Sequence, residues 1–307
     1  MLRSLLLALA FLAAGAARAE PAVHDLDWYD ESRQRAVPVR LYWPEGAARV
    51  PLVVFSHGIG GSRQGYSYLG EHFAANGMAS LHLQHVGSDR SLWTGNLLTL
   101  LGKLSDAALE REALERVRDL SFALDQLLAH EEFGARVDRK RIAAAGHSYG
   151  ANTAMLAAGA SVLRGGRPLA LRDARVRAAV LLSAPPFYGE GDLKPILRSI
   201  TLPTLHVTAT EDIIRIPGYY SPASDRIAVF DAVGSPLKAL AVFQGGSHSI
   251  FTNRIGTGGV ELNPKVKAAT RELALSFLRR VFDGRDEALA RWPETYGPLL
   301  ARWTGSL

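Results

Sequence analysis

RIAAAGHSYGANTAMLAAGA, residues 141–160, decides how this chain is read. Arg141 to Ala145 is a short apolar run that predicts a strand, and Ala151 to Ala160 is a run of small residues that predicts a helix. Between them lies Gly146-His147-Ser148-Tyr149-Gly150, the only G-x-S-x-G in the chain. A turn this sharp between strand and helix pushes Ser148 into a strained backbone conformation, and Gly146 and Gly150 leave room for neighbouring backbone to pass. The hydroxyl then projects above the carboxyl edge of a sheet. The start of the next helix brings partial positive charge to the place where an oxyanion would form. The plain alternative is that Ser148 is the N-cap of a structural turn.

The flanking sequence repeats the alternation of strand and helix. Val50 to Ser56 (VPLVVFS) is apolar and β-branched without alternation, as expected for a strand buried on both faces. His57-Gly58-Ile59-Gly60-Gly61 follows as a turn. Met78 to His85, Ala178 to Ser183, Thr204 to Thr208 and Ala239 to Phe243 read as further strands. Leu109, Ala113, Val117, Leu120, Leu124 and Leu127 recur at spacings of three and four, which predicts an amphipathic helix. A last long helix is expected from Asn263 as N-cap, with Pro264 in its first turn, to Gly284. Val23 to Trp43 predicts an antiparallel strand pair turning near Asp30 to Arg35. The tail from Arg291 to Leu307, with Trp292, Tyr296 and Trp303, predicts a terminal helix docked on the domain. The fold class is therefore α/β, with a mostly parallel, doubly wound sheet and an N-terminal antiparallel strand pair.

Composition narrows the chemistry. The 307 residues are 48% hydrophobic and 21% charged, which is globular composition. Cysteine is absent, which excludes disulfides, thiolate metal sites and a cysteine nucleophile. The 35 basic and 30 acidic residues are interspersed, for a net charge of +5. No long basic run marks a nucleic-acid footprint. Residues 1–20, MLRSLLLALAFLAAGAARAE, resemble a secretory signal peptide. Arg3 supplies the positive end, Ser4 to Ala14 the apolar stretch, and Ala17-Arg18-Ala19 the small-x-small cleavage site. The apolar stretch is shorter than the ~20 residues of a membrane span, and an uncleaved anchor is the alternative. Residues 1–19 are thus expected to be removed, 20–307 to form one domain, and the product to be exported, periplasmic or secreted.

SHGIGG (Ser56 to Gly61) and GHSYGA (Gly146 to Ala151), in this setting, resemble the α/β-hydrolase superfamily over roughly Val50 to Phe282. The pair is most similar to the branch containing platelet-activating-factor acetylhydrolases and bacterial dienelactone-hydrolase-like esterases. Dienelactone hydrolases use a cysteine nucleophile, and this chain has serine there. The acetylhydrolase pattern puts its acid shortly after the strand that follows the nucleophile helix. Here that strand runs into Leu182-Ser183-Ala184-Pro185-Pro186, with no acid before Glu190 and Asp192.

The next strand runs into Ala209-Thr210-Glu211-Asp212, and Asp212 sits at the usual superfamily position for the acid. Asp192 and Asp225 remain alternatives. His248, in Gln244-Gly245-Gly246-Ser247-His248, follows the last strand and precedes the final helix. The order Ser148, Asp212, His248 is the order this fold requires. His248 would act as general base and Asp212 would orient its ring. By resemblance, the oxyanion hole uses the backbone N–H groups of Ile59 and Tyr149. His57 is expected to orient the oxyanion turn, and His147 to be a packing neighbour. No histidine–carboxylate spacing fits a metal cage, so no metal and no cofactor are expected.

The resemblance implies a serine hydrolase of carboxylic esters working through an acyl-enzyme, an esterase, lipase or acetylhydrolase-like enzyme. A peptidase or amidase on the same triad, and a non-catalytic binding protein of this fold, are the alternatives. The expected partner is a small-molecule or lipid ester, with transient contact to a membrane surface and none to nucleic acid. Leu92, Trp93, Leu97, Leu98, Leu100 and Leu101 are candidates to line an acyl pocket.

Overall fold

The computed structural model describes residues 21–46, 49–94, 102–104, 106–107, 109–216, 219–254 and 259–306. The expected signal peptide, and Leu97, Leu98, Leu100 and Leu101 of the expected acyl pocket, lie outside these residues.

Among the described residues, nine strands form one sheet: β1 (Ala22–Asp30), β2 (Arg35–Trp43), β3 (Val50–Ser56), β4 (Ala79–Leu83), β5 (Val137–His147), β6 (Val176–Leu182), β7 (Thr204–Glu211), β8 (Lys238–Ser247) and β9 (Leu300–Ser306). Their spatial order is β1-β2-β4-β3-β5-β6-β7-β8-β9. From β4 through β8 neighbouring strands are parallel. The pairs β1–β2, β2–β4 and β8–β9 are antiparallel.

Side chains on β3 and β5 alternate between two cores. Val50, Leu52, Val54, Ile142 and Ala144 face one core. Val53, Phe55, Ala143 and Ala145 face the other. A period of two with both faces apolar is why these strands read as unbroken hydrophobic runs. Helices α2 (Glu110–Ala129), α3 (Tyr149–Ala158), α4 (Leu193–Leu197) and α5 (Ser224–Ala232) cover the first face. Helices α1 (Ser67–Ala75), α6 (Leu262–Asp283) and α7 (Glu287–Tyr296) cover the second. Alanines at 143, 144, 145, 151, 154 and 157 are all buried, so helix α3 and strand β5 lie close together.

Two C-terminal details differ from the sequence expectation. Helix α6 begins at Leu262 and Asn263 lies inside its first turn, its N–H bonded to the Gly259 carbonyl, so it is not the cap. Gly284 does end the helix, in the left-handed conformation at φ 70°. The tail is α7 followed by strand β9, which covers the edge of β8. Trp303 on that strand lies 5.2 Å from Trp292 on α7, so helix and strand close over the core together.

The chain leaves β3 in one direction to β4 and returns to β5 on the other side of β3. That reversal is a topological switch point, and the carboxyl ends of the two strands beside it form a crevice. Ser56, the last residue of β3, pairs with Gly146 near the end of β5. The two glycine-rich loops singled out in the sequence therefore meet at one edge.

Candidate active site

Ser148 stands in the turn between β5 and α3 at φ 54° and ψ −123°, a conformation that non-glycine residues rarely adopt. The surroundings hold it there. The Ser148 N–H donates to the Leu182 carbonyl at 2.9 Å, and its own carbonyl accepts from Ala151 at 2.8 Å. A Cβ on Gly146 would strike the Gly150 carbonyl, and one on Gly150 would strike the Ser56 carbonyl. Only glycine fits at either position. Ser148 makes no side-chain cap bond to α3, so the N-cap alternative does not describe its hydroxyl.

The hydroxyl instead meets His248. Ser148 Oγ lies 2.8 Å from His248 Nε2, and His248 Nδ1 lies 2.6 Å from Asp212 Oδ1. Sheet register brings the last two together. Glu211 at the end of β7 pairs with Ser247 at the end of β8, so Asp212 and His248 are the next residue of each strand. A bulge between Phe243 and Ser247, with Gly245 and Gly246 at φ 72° and 90°, turns the chain so that His248 faces the serine.

Asp212 is fully buried. Burial alone would raise its carboxyl, but the His248 hydrogen bond, the charge of that ring and the Arg226 guanidinium outweigh it, and the group is held well below the usual carboxylate range. Its second oxygen accepts from Thr208 Oγ1 at 2.6 Å. Arg226 Nε lies 3.5 Å from Asp212 Oδ1, with both side chains buried. Asp192, the first alternative acid, is exposed and caps a short helix by accepting from the Lys194 N–H at 3.0 Å. Asp225, the second, accepts from Ser221 Oγ at 2.6 Å.

His147 does more than fill space. Its Nε2–H donates to the His248 carbonyl at 2.9 Å, and Nδ1 accepts from the Tyr66 hydroxyl at 2.8 Å. The two rings lie 4.8 Å apart. Burial first, then the neighbouring His248, pushes the His147 imidazole down to about 3, so it stays neutral. This ring fixes the backbone of His248. The sequence gives no signal of that role, because the two residues are 101 apart.

Ile59 and Tyr149 line the same cavity as Ser148. Among the described residues, neither N–H is donated to an acceptor. The loop carrying Ile59 is braced on both sides. The Gly60 N–H donates to the Ser88 carbonyl at 2.8 Å, and the Gly60 carbonyl accepts from the Trp93 indole at 2.9 Å. His57 Nδ1–H donates to the Gly58 carbonyl at 2.7 Å, and His57 Nε2 accepts from the His85 N–H at 3.1 Å.

The cavity has a volume of about 630 Å³. Its apolar wall includes Leu104, Leu114 on α2, Leu156 on α3, Leu169 and Leu171, Phe187, and Ile214, Ile216 and Tyr219 of the antiparallel pair Ile214–Ile216/Tyr219–Ser221. The acyl-pocket expectation needs correction here. Leu92 is buried and Trp93 braces Gly60, and neither is among the described cavity wall. The wall comes from Leu104 and the start of α2, where Leu109 and Ala113 belong to the periodic stripe, and from the segments after α3, β6 and β7, whose apolar residues carry no periodicity that marks them in the sequence. Among the described residues, no group of three or more His, Asp or Glu gathers to hold a metal.

A second serine–histidine–aspartate chain lies beneath the first. His85 Nε2 is 3.1 Å from Ser56 Oγ, and His85 Nδ1 is 3.0 Å from Asp119 Oδ2. All three side chains are fully buried, and Asp119 is also bonded by Arg33 at 2.8 Å and Arg35 at 2.9 Å. It ties β3, the end of β4 and α2 together.

Comparison with known proteins agrees with this architecture. The family described as platelet-activating factor acetylhydrolase, isoform II, matches residues 42–100, which include the His57–Gly61 loop. No curated protein matches the chain. Among solved structures, the chain is similar to the ferulic acid esterase from Streptomyces cinnamoneus, with a TM-score of 0.68 and 23% identity over 94% of this chain and 98% of that one. The molecule has the α/β-hydrolase fold, and over residues 42–100 it resembles the isoform II acetylhydrolases.

Proposed function

We propose that the protein is an exported serine hydrolase that cleaves carboxylic esters through an acyl-enzyme on Ser148. One observation carries the reading: Ser148 Oγ, His248 and Asp212 form a continuous hydrogen-bonded chain at the wall of an apolar cavity. Ser148 Oγ attacks the ester carbonyl and its proton passes to His248 Nε2. Asp212 accepts from Nδ1–H throughout, fixing the tautomer and stabilising the imidazolium. The carbonyl oxygen becomes an oxyanion facing the N–H groups of Ile59 and Tyr149. Collapse breaks the ester bond, and His248 returns the proton to the departing alkoxide. Water then attacks the acyl-enzyme, again deprotonated by His248, and the carboxylic acid leaves with Ser148 restored.

The apolar wall favours an ester with a hydrophobic acid or alcohol part. The similar solved structure is a ferulic acid esterase, which supports ester rather than amide chemistry. The match to the acetylhydrolase family points the same way. The test is turnover of p-nitrophenyl butyrate beside a matched p-nitroanilide. Wild-type protein should hydrolyse the ester, and Ser148→Ala should lose about 10⁴-fold or more. Anilide turnover exceeding ester turnover, or near-wild-type rates in Ser148→Ala, would overturn the reading.

A further inference from the structure

We propose that Arg116 is a positioning residue that holds both arms of the oxyanion hole in place; the inference rests on the reading of Ser148 as nucleophile. Arg116 lies on α2 and is fully buried. Its guanidinium commits every nitrogen to the machinery around Ser148. One terminal nitrogen donates to the His57 carbonyl, directly before Gly58-Ile59. The other donates to Ser88 Oγ at 2.7 Å, on the residue whose carbonyl holds the Gly60 N–H. Nε donates to Thr153 Oγ1 at 3.0 Å, and Thr153 Oγ1 donates in turn to the Tyr149 carbonyl at 3.2 Å. The guanidinium also lies over the Tyr149 ring, 4.5 Å from its centroid.

One planar, rigid cation therefore fixes the peptide preceding the Ile59 amide and the residue that carries the Tyr149 amide. These two arms come from loops about 90 residues apart in sequence; β3–β5 pairing brings the loops to one edge, and Arg116 is bonded to both. Oxyanion stabilisation depends on donors that are already in position when charge develops. Arginine suits this task because its donors lie in a fixed fork.

The placement is costly for a purely structural brace. Removing a guanidinium from water costs several kcal/mol, and apolar packing of similar volume often serves stability as well or better. Burial pushes the group down only to about 10, so it is charged at neutral pH. Glu112 offsets part of that charge through Ser88, whose hydroxyl donates to it at 2.9 Å. A positive charge buried behind the hole favours the oxyanion over the neutral ester carbonyl. Its effect therefore belongs to turnover, not to substrate binding.

The experiment compares wild type, Arg116→Gln and Arg116→Lys in p-nitrophenyl butyrate hydrolysis. Active sites are counted by titration with a fluorophosphonate, so that kcat is expressed per competent Ser148. A merely structural defect lowers the number of sites and the thermal midpoint but leaves per-site kcat unchanged. The positioning role predicts that R116Q lowers per-site kcat by about 10- to 100-fold with KM within about threefold of wild type. R116K should fall between R116Q and wild type, since it keeps the charge without the fork. Per-site kcat of R116Q within about twofold of wild type would overturn the proposal, as would a loss carried by KM alone. If R116Q does not fold, the double variant Ser88→Ala/Thr153→Val removes two anchors and leaves the cation in place. It should lower per-site kcat by about fivefold or more, and an unchanged value would overturn the proposal. Failure of the nucleophile reading is separately visible, as ester turnover that is missing in wild type or survives Ser148→Ala.

Discussion

Ser56, His85 and Asp119 make the same hydrogen-bond sequence as Ser148, His248 and Asp212, and burial separates the two sets. The first has no exposed atom and sits among arginines that bind its aspartate. The second has a histidine whose side chain is 18% exposed, and its serine borders the cavity. Reaction geometry needs both the bonds and an approach for the substrate. The acid assignment can be tested at this scale. Asp212→Asn should lower kcat for a p-nitrophenyl ester by about 10³- to 10⁴-fold, because the amide favours the wrong tautomer of His248. Asp192→Asn should stay within about twofold, since the exposed Asp192 only caps the short helix Leu193–Leu197. A larger loss at Asp192 than at Asp212 would transfer the role. Sequence order alone suggests Ser148, Asp212 and His248 as a set; it says nothing of Arg116, Arg226 or the hold of His147 on His248. Those roles arise from residues far apart in sequence and from burial, neither of which has a local signature.

The turn after β5 carries Ser148, a non-glycine residue at positive φ, between two glycines that admit no side chain. Its shape was legible because the constraint is local: a strand, two glycines around a serine, and a helix of small residues. Gly150→Ala should cost about 3 kcal/mol or more in urea denaturation, since its Cβ would overlap the Ser56 carbonyl and nothing rigid can yield. Gly191→Ala, with open space around it and an ordinary backbone, is the matched control and should be near neutral. Equal stability of the two variants would contradict the close approach of β3 and α3. The central strands were legible for a similar reason, because a short, unbroken, β-branched apolar run fits a strand covered on both faces. Strand β9 was not. LARWTGS carries a glycine and little alternation, and it becomes a strand because the edge of β8 is there to pair with. The cavity pair Ile214–Ile216/Tyr219–Ser221 is short, and Arg226 Nη1 donates to its Ser221 Oγ at 2.6 Å, a tie with no local signature.

At the scale of the whole molecule, the sheet carries an unusual load of buried neutral imidazoles. Burial pushes His82 down to about 4, His85, His147 and His206 to about 3, and His57 well below its ordinary value. The unfolded chain binds protons at these positions near pH 6.5, while the folded chain does not. Stability is therefore highest above pH 6.5 and falls as pH drops, each group adding about 1.4 kcal/mol per pH unit to the slope. Asp119 continues the trend at lower pH. Burial would raise it, but the hydrogen bonds from His85 and Arg35 hold it at about 2, so its contribution is lost between about pH 4 and 2. Urea denaturation at pH 7.5, 6.5, 5.5 and 4.5 should show a steep loss of unfolding free energy below pH 6.5; a flat profile down to pH 5 would contradict neutral burial. Ester hydrolysis by this protein turns on a single activated hydroxyl, and covalent labelling with a fluorophosphonate reads it most directly. Intact mass and peptide mapping should find one adduct, on Ser148, absent in Ser148→Ala and slowed by orders of magnitude in His248→Asn. An unlabelled Ser148, or an adduct on Ser56 or another residue in its place, would contradict the account.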